Sequence, residues 1–172
     1  MKGLITLFFL SFSFSAFWIS HDIQYESEIS AYGQSITTDF DGAITIGYEE
    51  KLKENDLIIG IGYDIKGAEL SGSYEDDSEI TMMNFYAKYP FPLQDNSFLF
   101  GTIGYSIPTG DADDAGIDSG LSFGFGFNHT SGIGVSYTIH KSGINQSYSY
   151  YGYDYSSNYN LDFNRFSISY TF

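Results

Sequence analysis

From Asp22 onward the chain alternates between apolar and polar positions. Eight segments, each about ten residues long, place apolar side chains at every second position and end in clusters of Gly, Asn, Asp or Ser, which is the period of a β-strand. In the first, Ile23, Tyr25, Ile29 and Ala31 share one face, and Gln24, Glu26, Glu28 and Ser30 the other. The second sets Ile44, Ile46 and Tyr48 against Thr45, Gly47 and Glu49. The third sets Leu57, Ile59, Ile61, Tyr63 and Ile65 against Gly60, Gly62, Asp64 and Lys66, with only Ile58 out of pattern. The fourth carries Met83, Phe85, Ala87, Tyr89 and Phe91 opposite a mixed face of Met82, Asn84, Tyr86 and Lys88. The fifth to seventh centre on Leu99 to Ile107, Leu121 to Phe127 and Ile133 to Ile139, and the eighth alternates Phe166, Ile168, Tyr170 and Phe172 with Arg165, Ser167, Ser169 and Thr171.

Soluble sandwiches alternate too, so the contents of the two faces decide the environment. The polar face carries Gly, Ser, Thr and isolated charges, while the apolar face carries large aliphatics with Tyr and Phe towards the strand ends. Eight strands enclose too little volume to hold that many aromatics inside. The pattern therefore predicts an all-β protein, an eight-stranded antiparallel transmembrane β-barrel with a narrow polar interior and a lipid-facing exterior. Connections after strands two, four and six are short (Lys53 to Asp56, Pro92 to Asn96, His129 to Gly132), and the others are longer and acidic or Tyr-rich. That asymmetry predicts short periplasmic turns and longer extracellular loops, with both termini on the periplasmic side.

The first residues, MKGLITLFFLSFSFSA, have another character: one Lys, an apolar core from Leu4 to Leu10, then small residues. This is the order of an export signal. Cleavage is expected after Ser15, giving a signal peptide at 1–15 and a barrel at 16–172. Past that segment no run approaches the roughly twenty apolar residues of a spanning helix, so membrane residence has to be by strands.

Composition then narrows the partners. With seven Lys and Arg against 22 Asp and Glu, a net charge of -15, the chain lacks the basic patch that nucleic acid needs. The acid is expected in solvated loops. There is no cysteine, which removes disulfides and thiolate metal sites.

The segment Gly120-Leu-Ser-Phe-Gly-Phe-Gly-Phe, the following Gly132-Ile-Gly-Val-Ser-Tyr and the terminal Phe166-Ser-Ile-Ser-Tyr-Thr-Phe172 resemble the outer-membrane β-barrel family that includes OmpX and the OmpA membrane domain. The resemblance implies a Gram-negative outer-membrane location, contact with membrane lipid and lipopolysaccharide, and a monomer. It also implies that Phe166, Ile168, Tyr170 and Phe172 form the terminal signal read by the barrel-assembly machinery. Glu26, Glu28, Glu49, Asp64, Lys66, Lys88 and Arg165 fall on the lumen face of the alternation, where barrels of this family hold an ion-paired plug. Closure sets the last strand beside the first, so Arg165 is expected near Glu26 or Glu28, its planar fork suited to carboxylates. A lumen so filled conducts poorly.

Two loops and one enzyme-like motif remain. The loop from Asp111 to Asp118 groups four carboxylates without the spacing of an EF-hand, and is expected to be solvated rather than to hold calcium. The stretch from Asn145 to Asn160, dense in Tyr and Ser, suits surface recognition or packing at the outer interface. His140-Lys-Ser142 with Asp154 resembles the His-x-Ser and downstream acid of lipid A deacylases. Gly143 stands where that family continues with Asn-Ala, and the alternation turns His140 inward. The expectation is a barrel without catalysis, cofactor or metal, with a structural or loop-mediated surface role; a narrow pore and an esterase are the alternatives.

Overall fold

The structure, a computed structural model, describes residues 15–31, 34–52, 56–70, 79–93, 96–150 and 153–172, with the backbone alone at 15, 31, 70, 146–150 and 153–155. The expected signal peptide at 1–15 lies outside the described residues except for Ser15, which opens the first strand. The elements are β1 (Ser15–Ala31), β2 (Gln34–Asp41), β3 (Ile44–Lys51), β4 (Ile58–Lys66), β5 (Ala68–Leu70), β6 (Glu79–Pro92), β7 (Ser97–Thr109), a one-turn helix α1 (Asp111–Asp114), β8 (Gly120–His129), β9 (Ile133–Tyr150) and β10 (Tyr153–Thr171). All pairings are antiparallel, and β10 closes on β1. β2 and β3 form one stave interrupted at Gly42 and Ala43, and β4 and β5 form another interrupted at Gly67, so ten segments make a ring of eight. The expected eight-stranded antiparallel barrel is the observed fold.

Short connections join β3 to β4, β6 to β7 and β8 to β9 at one end, where Asn96 (φ 58°) and Gly132 (φ 92°) adopt the left-handed conformation that close chain reversals need. Both described chain ends lie there too, the Phe172 amide donating to the Phe17 carbonyl at 2.8 Å. At the other end two of the expected long loops are strands instead. β2 fills most of the first, and in the last β9 and β10 stay paired from Asn145↔Asn158 to Tyr150↔Tyr153. Tyr and Ser in alternation make good strand surface, and nothing in that run breaks a ladder.

Near the turn end the wall is inside-out by the standard of soluble proteins. Ile46, Ile59, Tyr89, Ile103, Phe125 and Ile168 are exposed outward, while Ser20, Thr45, Glu49, Lys88, Ser122 and Arg165 are buried inward. Such an apolar belt on a closed barrel is a surface that lipid solvates. Towards the hairpin end the arrangement reverses. Tyr25, Ala68, Met82, Ile117, Leu161 and Phe163 are packed inside as a continuous apolar cluster, and Gln24, Glu26, Glu28, Asn160 and Asp162 occupy the outer face. The narrow polar interior expected from the sequence is thus correct only for the turn half. The wall of the hairpin half faces water, so the ordinary preference for apolar inside returns.

The reversal is achieved in two ways. Along β10 the sequence itself inverts: outward Tyr170, Ile168 and Phe166 give way to Asn164, Asp162, Asn160 and Asn158, while inward Ser167 and Arg165 give way to Phe163 and Leu161. Along β1 the apolar residues Phe17, Ile19, Ile23, Tyr25 and Ile29 all keep to odd positions, and a bulge turns that row over. The register shifts between Asp22 and Gln24, Ile23 being the extra residue, so Phe17 and Ile19 face out while Tyr25 and Ser27 are buried inside. β4 has the same device at Ile65, between Asp64 and Lys66. Between them, the stave of β2 and β3 breaks beside Asp22, whose amide bonds the Ala43 carbonyl at 3.0 Å. The approach is so close that a methyl group at Gly42 would overlap the Asp22 carbonyl.

Candidate functional site in the lumen

The bulges bring Asp22 and Asp64 to the inner wall at one level, facing Arg165 from β10. Arg165 Nε donates to Asp22 Oδ2 at 2.7 Å, and its two terminal nitrogens donate to Asp64 at 3.2 and 3.0 Å, a forked contact with one carboxylate. Thr45 Oγ1 accepts from Arg165 at 2.9 Å and donates to Asp64 at 2.6 Å. Ser167 Oγ donates to Asp22 at 2.6 Å, and the Met82 amide donates to Asp64 at 3.1 Å, filling a gap in the ladder between β4 and β6. Above the layer, the guanidinium carbon stands 5.2 Å from the Tyr25 ring centre. Tyr25 in turn stacks on Phe163 (5.8 Å) and meets Phe40 (5.6 Å). Ala112 of α1 and Ile117 close this apolar layer from the loop side.

Below the charged layer lies a chamber of about 120 Å³ lined largely by hydroxyls, among them Ser20, Thr102, Ser122, Ser136 and Thr138. Lys88 and Glu49 pair near its turn end, with Tyr86 donating to Glu49 at 2.7 Å and the Lys88 ammonium 4.7 Å from the Phe100 ring centre. On the chamber wall Ser106 gives its single proton to Asn84 (2.7 Å), so the 2.5 Å contact with His140 Nδ1 has the histidine as donor.

The expected lumen residues therefore divide. Glu49, Asp64, Lys88 and Arg165 are buried inside, in two separate clusters. Glu26 and Glu28 are not lumen residues, because the Ile23 bulge turns them to the outer face, where Gln24 bonds Glu26 at 2.5 Å. Lys66 is likewise turned out by the Ile65 bulge and pairs with Glu69 at 3.2 Å. The partner of Arg165 on the first strand is Asp22, which alternation read from Ile23 onward leaves out. Its signal in the sequence is position: Trp18, Ser20 and Asp22 continue one face below the bulge.

Phe166, Ile168 and Tyr170 share the outward face of β10, and Phe172 follows just past the strand with its ring edge-on to Tyr170 at 5.1 Å. Of the deacylase-like residues, His140 is buried and Ser142 donates to the Asp118 carbonyl, while the Asp154 side chain lies outside the described residues. The carboxylates of the loop from Asp111 to Asp118 do not converge; Asp118 accepts from Asn145 at 2.6 Å. Among the described residues no group of three His, Asp or Glu side chains is placed to hold a metal ion.

No protein-family model and no curated protein matches this sequence. Solved structures do match. Neisserial surface protein A superposes with a TM-score of 0.52 at 12% identity, over 91% of this chain and 97% of that one. Ail, the attachment invasion locus protein of Yersinia pestis, gives 0.48 at 12% over 92% and 97%, and the outer membrane protein AlkL, solved in lipid bilayers, gives 0.47 at 12% over 92% and 90%. The fold assignment rests on the first of these: the chain has the architecture of an eight-stranded outer-membrane β-barrel.

Proposed function

We propose that the protein is a closed, non-catalytic barrel of the bacterial outer membrane that acts at the cell surface through its β1–β2 and β9–β10 hairpins and the loop carrying α1. The observation that carries this reading is the double seal in the lumen. A charged layer (Arg165, Asp22, Asp64) and an apolar layer (Tyr25, Phe163, Met82) lie one above the other, so a solute would have to disrupt both. The apolar belt supports contact with membrane lipid and, at the loop side, with lipopolysaccharide. The outward row of Phe166, Ile168 and Tyr170 along β10 supports reading by the barrel-assembly machinery. Against esterase chemistry stand the bonds of Ser142 and His140, which run to Asp118 and Ser106 rather than to each other.

Planar-bilayer conductance of the refolded protein tests the reading, with heat-shifted gel mobility showing that the barrel has formed. A folded, silent barrel is the expected result. Steady open channels would instead favour a pore running through the hydroxyl-lined chamber.

A further inference from the structure

The outer wall over β1, β3, β4, β6 and β7 carries two grooves side by side, of about 610 and 530 Å³. They share a ridge, the cross-strand pair Tyr48 and Ile61. Ala87 floors the larger groove, and its cross-strand neighbours Ile59 and Ile103 stand on either side. The smaller runs along the ridge towards Phe17 and Ile46. Behind both grooves, inside the barrel, stand two aromatic side chains. Trp18 and Tyr86 pack flat against the inner wall, and a methyl group at Gly47 would collide with Trp18, as one at Gly60 would with Tyr86. These inward positions are therefore glycine, and Tyr86 is among the residues lining the larger groove as Trp18 is for the smaller.

At the turn-end mouth of the larger groove stands Glu50, outward beside Tyr48 in the alternation and half-buried. Among the described residues its carboxylate has no hydrogen-bond or ion-pair partner; the adjacent Lys51 is taken by Asp56 at 2.7 Å. A carboxylate on the rim of an apolar groove lacks full hydration and is stabilised by a cation with N–H donors. We propose that this wall binds one two-chain phospholipid with a primary ammonium headgroup, its chains on either side of the Tyr48–Ile61 ridge and its ammonium on Glu50. The proposal rests on the reading that the belt lies in a bilayer.

Trp18, the only tryptophan of the chain, lines the smaller groove and reports on it. The test reconstitutes the folded protein in phosphatidylglycerol vesicles and titrates in a brominated-chain lipid, either phosphatidylethanolamine or phosphatidylcholine, while Trp18 quenching is followed. The ethanolamine lipid is expected to quench at a mole fraction lower by about two- to fivefold, the effect of one interfacial ion pair. Glu50→Gln should make the two lipids equal, and Ala87→Leu, which fills the floor, should weaken both while heat-shifted mobility stays normal. Equal quenching in the unaltered protein, or a preference that survives Glu50→Gln, overturns the site. Cross-linked dimers that exclude both lipids overturn it as well, by seating a second copy on the wall. Failure to enter the vesicles overturns the membrane reading beneath it.

Discussion

Arg165 holds two carboxylates that have no exposed side-chain surface, Asp22 and Asp64. Its value to the barrel is best seen from what remains if it is removed. Arg165→Ala leaves both acids buried without a cation, and a loss of about 3–5 kcal/mol is expected, read from urea unfolding followed by Trp18 fluorescence. The triple change Asp22→Asn, Asp64→Asn, Arg165→Met removes the charges together and should recover most of that loss, because the desolvation goes with the pair. Lys51 and Asp56 make the contrast. Both side chains are about half exposed or more, at 47% and 65%, and Lys51→Ala should change stability by less than about 0.5 kcal/mol in the same assay.

At the scale of elements, the bulges decide which side chains meet. Deleting Ile23 would remove the bulge and leave β1 in simple alternation, with Tyr25 and Ser27 still inward and Gln24, Glu26 and Glu28 still outward. The expected outcome is a heat-shifted folded band for the deletion as well as for Ile23→Val, which keeps the residue count. The same feature explains what the sequence disclosed. Strand number, closure and the lipid-facing belt followed from period-two patterning, because most outward residues of the turn half are large and apolar. The faces of Glu26, Glu28 and Lys66 did not follow, since a bulge adds one residue without disturbing the alternation of residue types around it. On β10 the change of environment is written openly, in the step from Phe166 outward to Asn164 outward. A reading that treats the residues before Arg165 as loop stops just short of it. The lumen pairs Glu49 and Lys88 come from strands two and four of the ring's early half, and their meeting depends on the shear of the barrel, which alternation along single strands does not encode.

For the whole molecule, the two lumen layers are seals of different chemistry, one charged and one apolar. Arg165→Ala should therefore stay electrically silent in a bilayer so long as the barrel remains folded, because Tyr25, Phe163 and Met82 still fill the hairpin half. Bursts of conductance from that variant would show that the charged layer alone keeps the lumen shut. The charged layer also spans the sequence: Arg165 reaches Asp22 across 143 positions and Asp64 across 101. Contacts so distant along the chain carry a large loop-closure entropy and form late in folding. Arg165 accordingly acts on time more than on route, and its loss should speed unfolding while leaving the refolding rate nearly unchanged. Once the ring has closed, the guanidinium serves as the latch that sets the lifetime of the folded barrel.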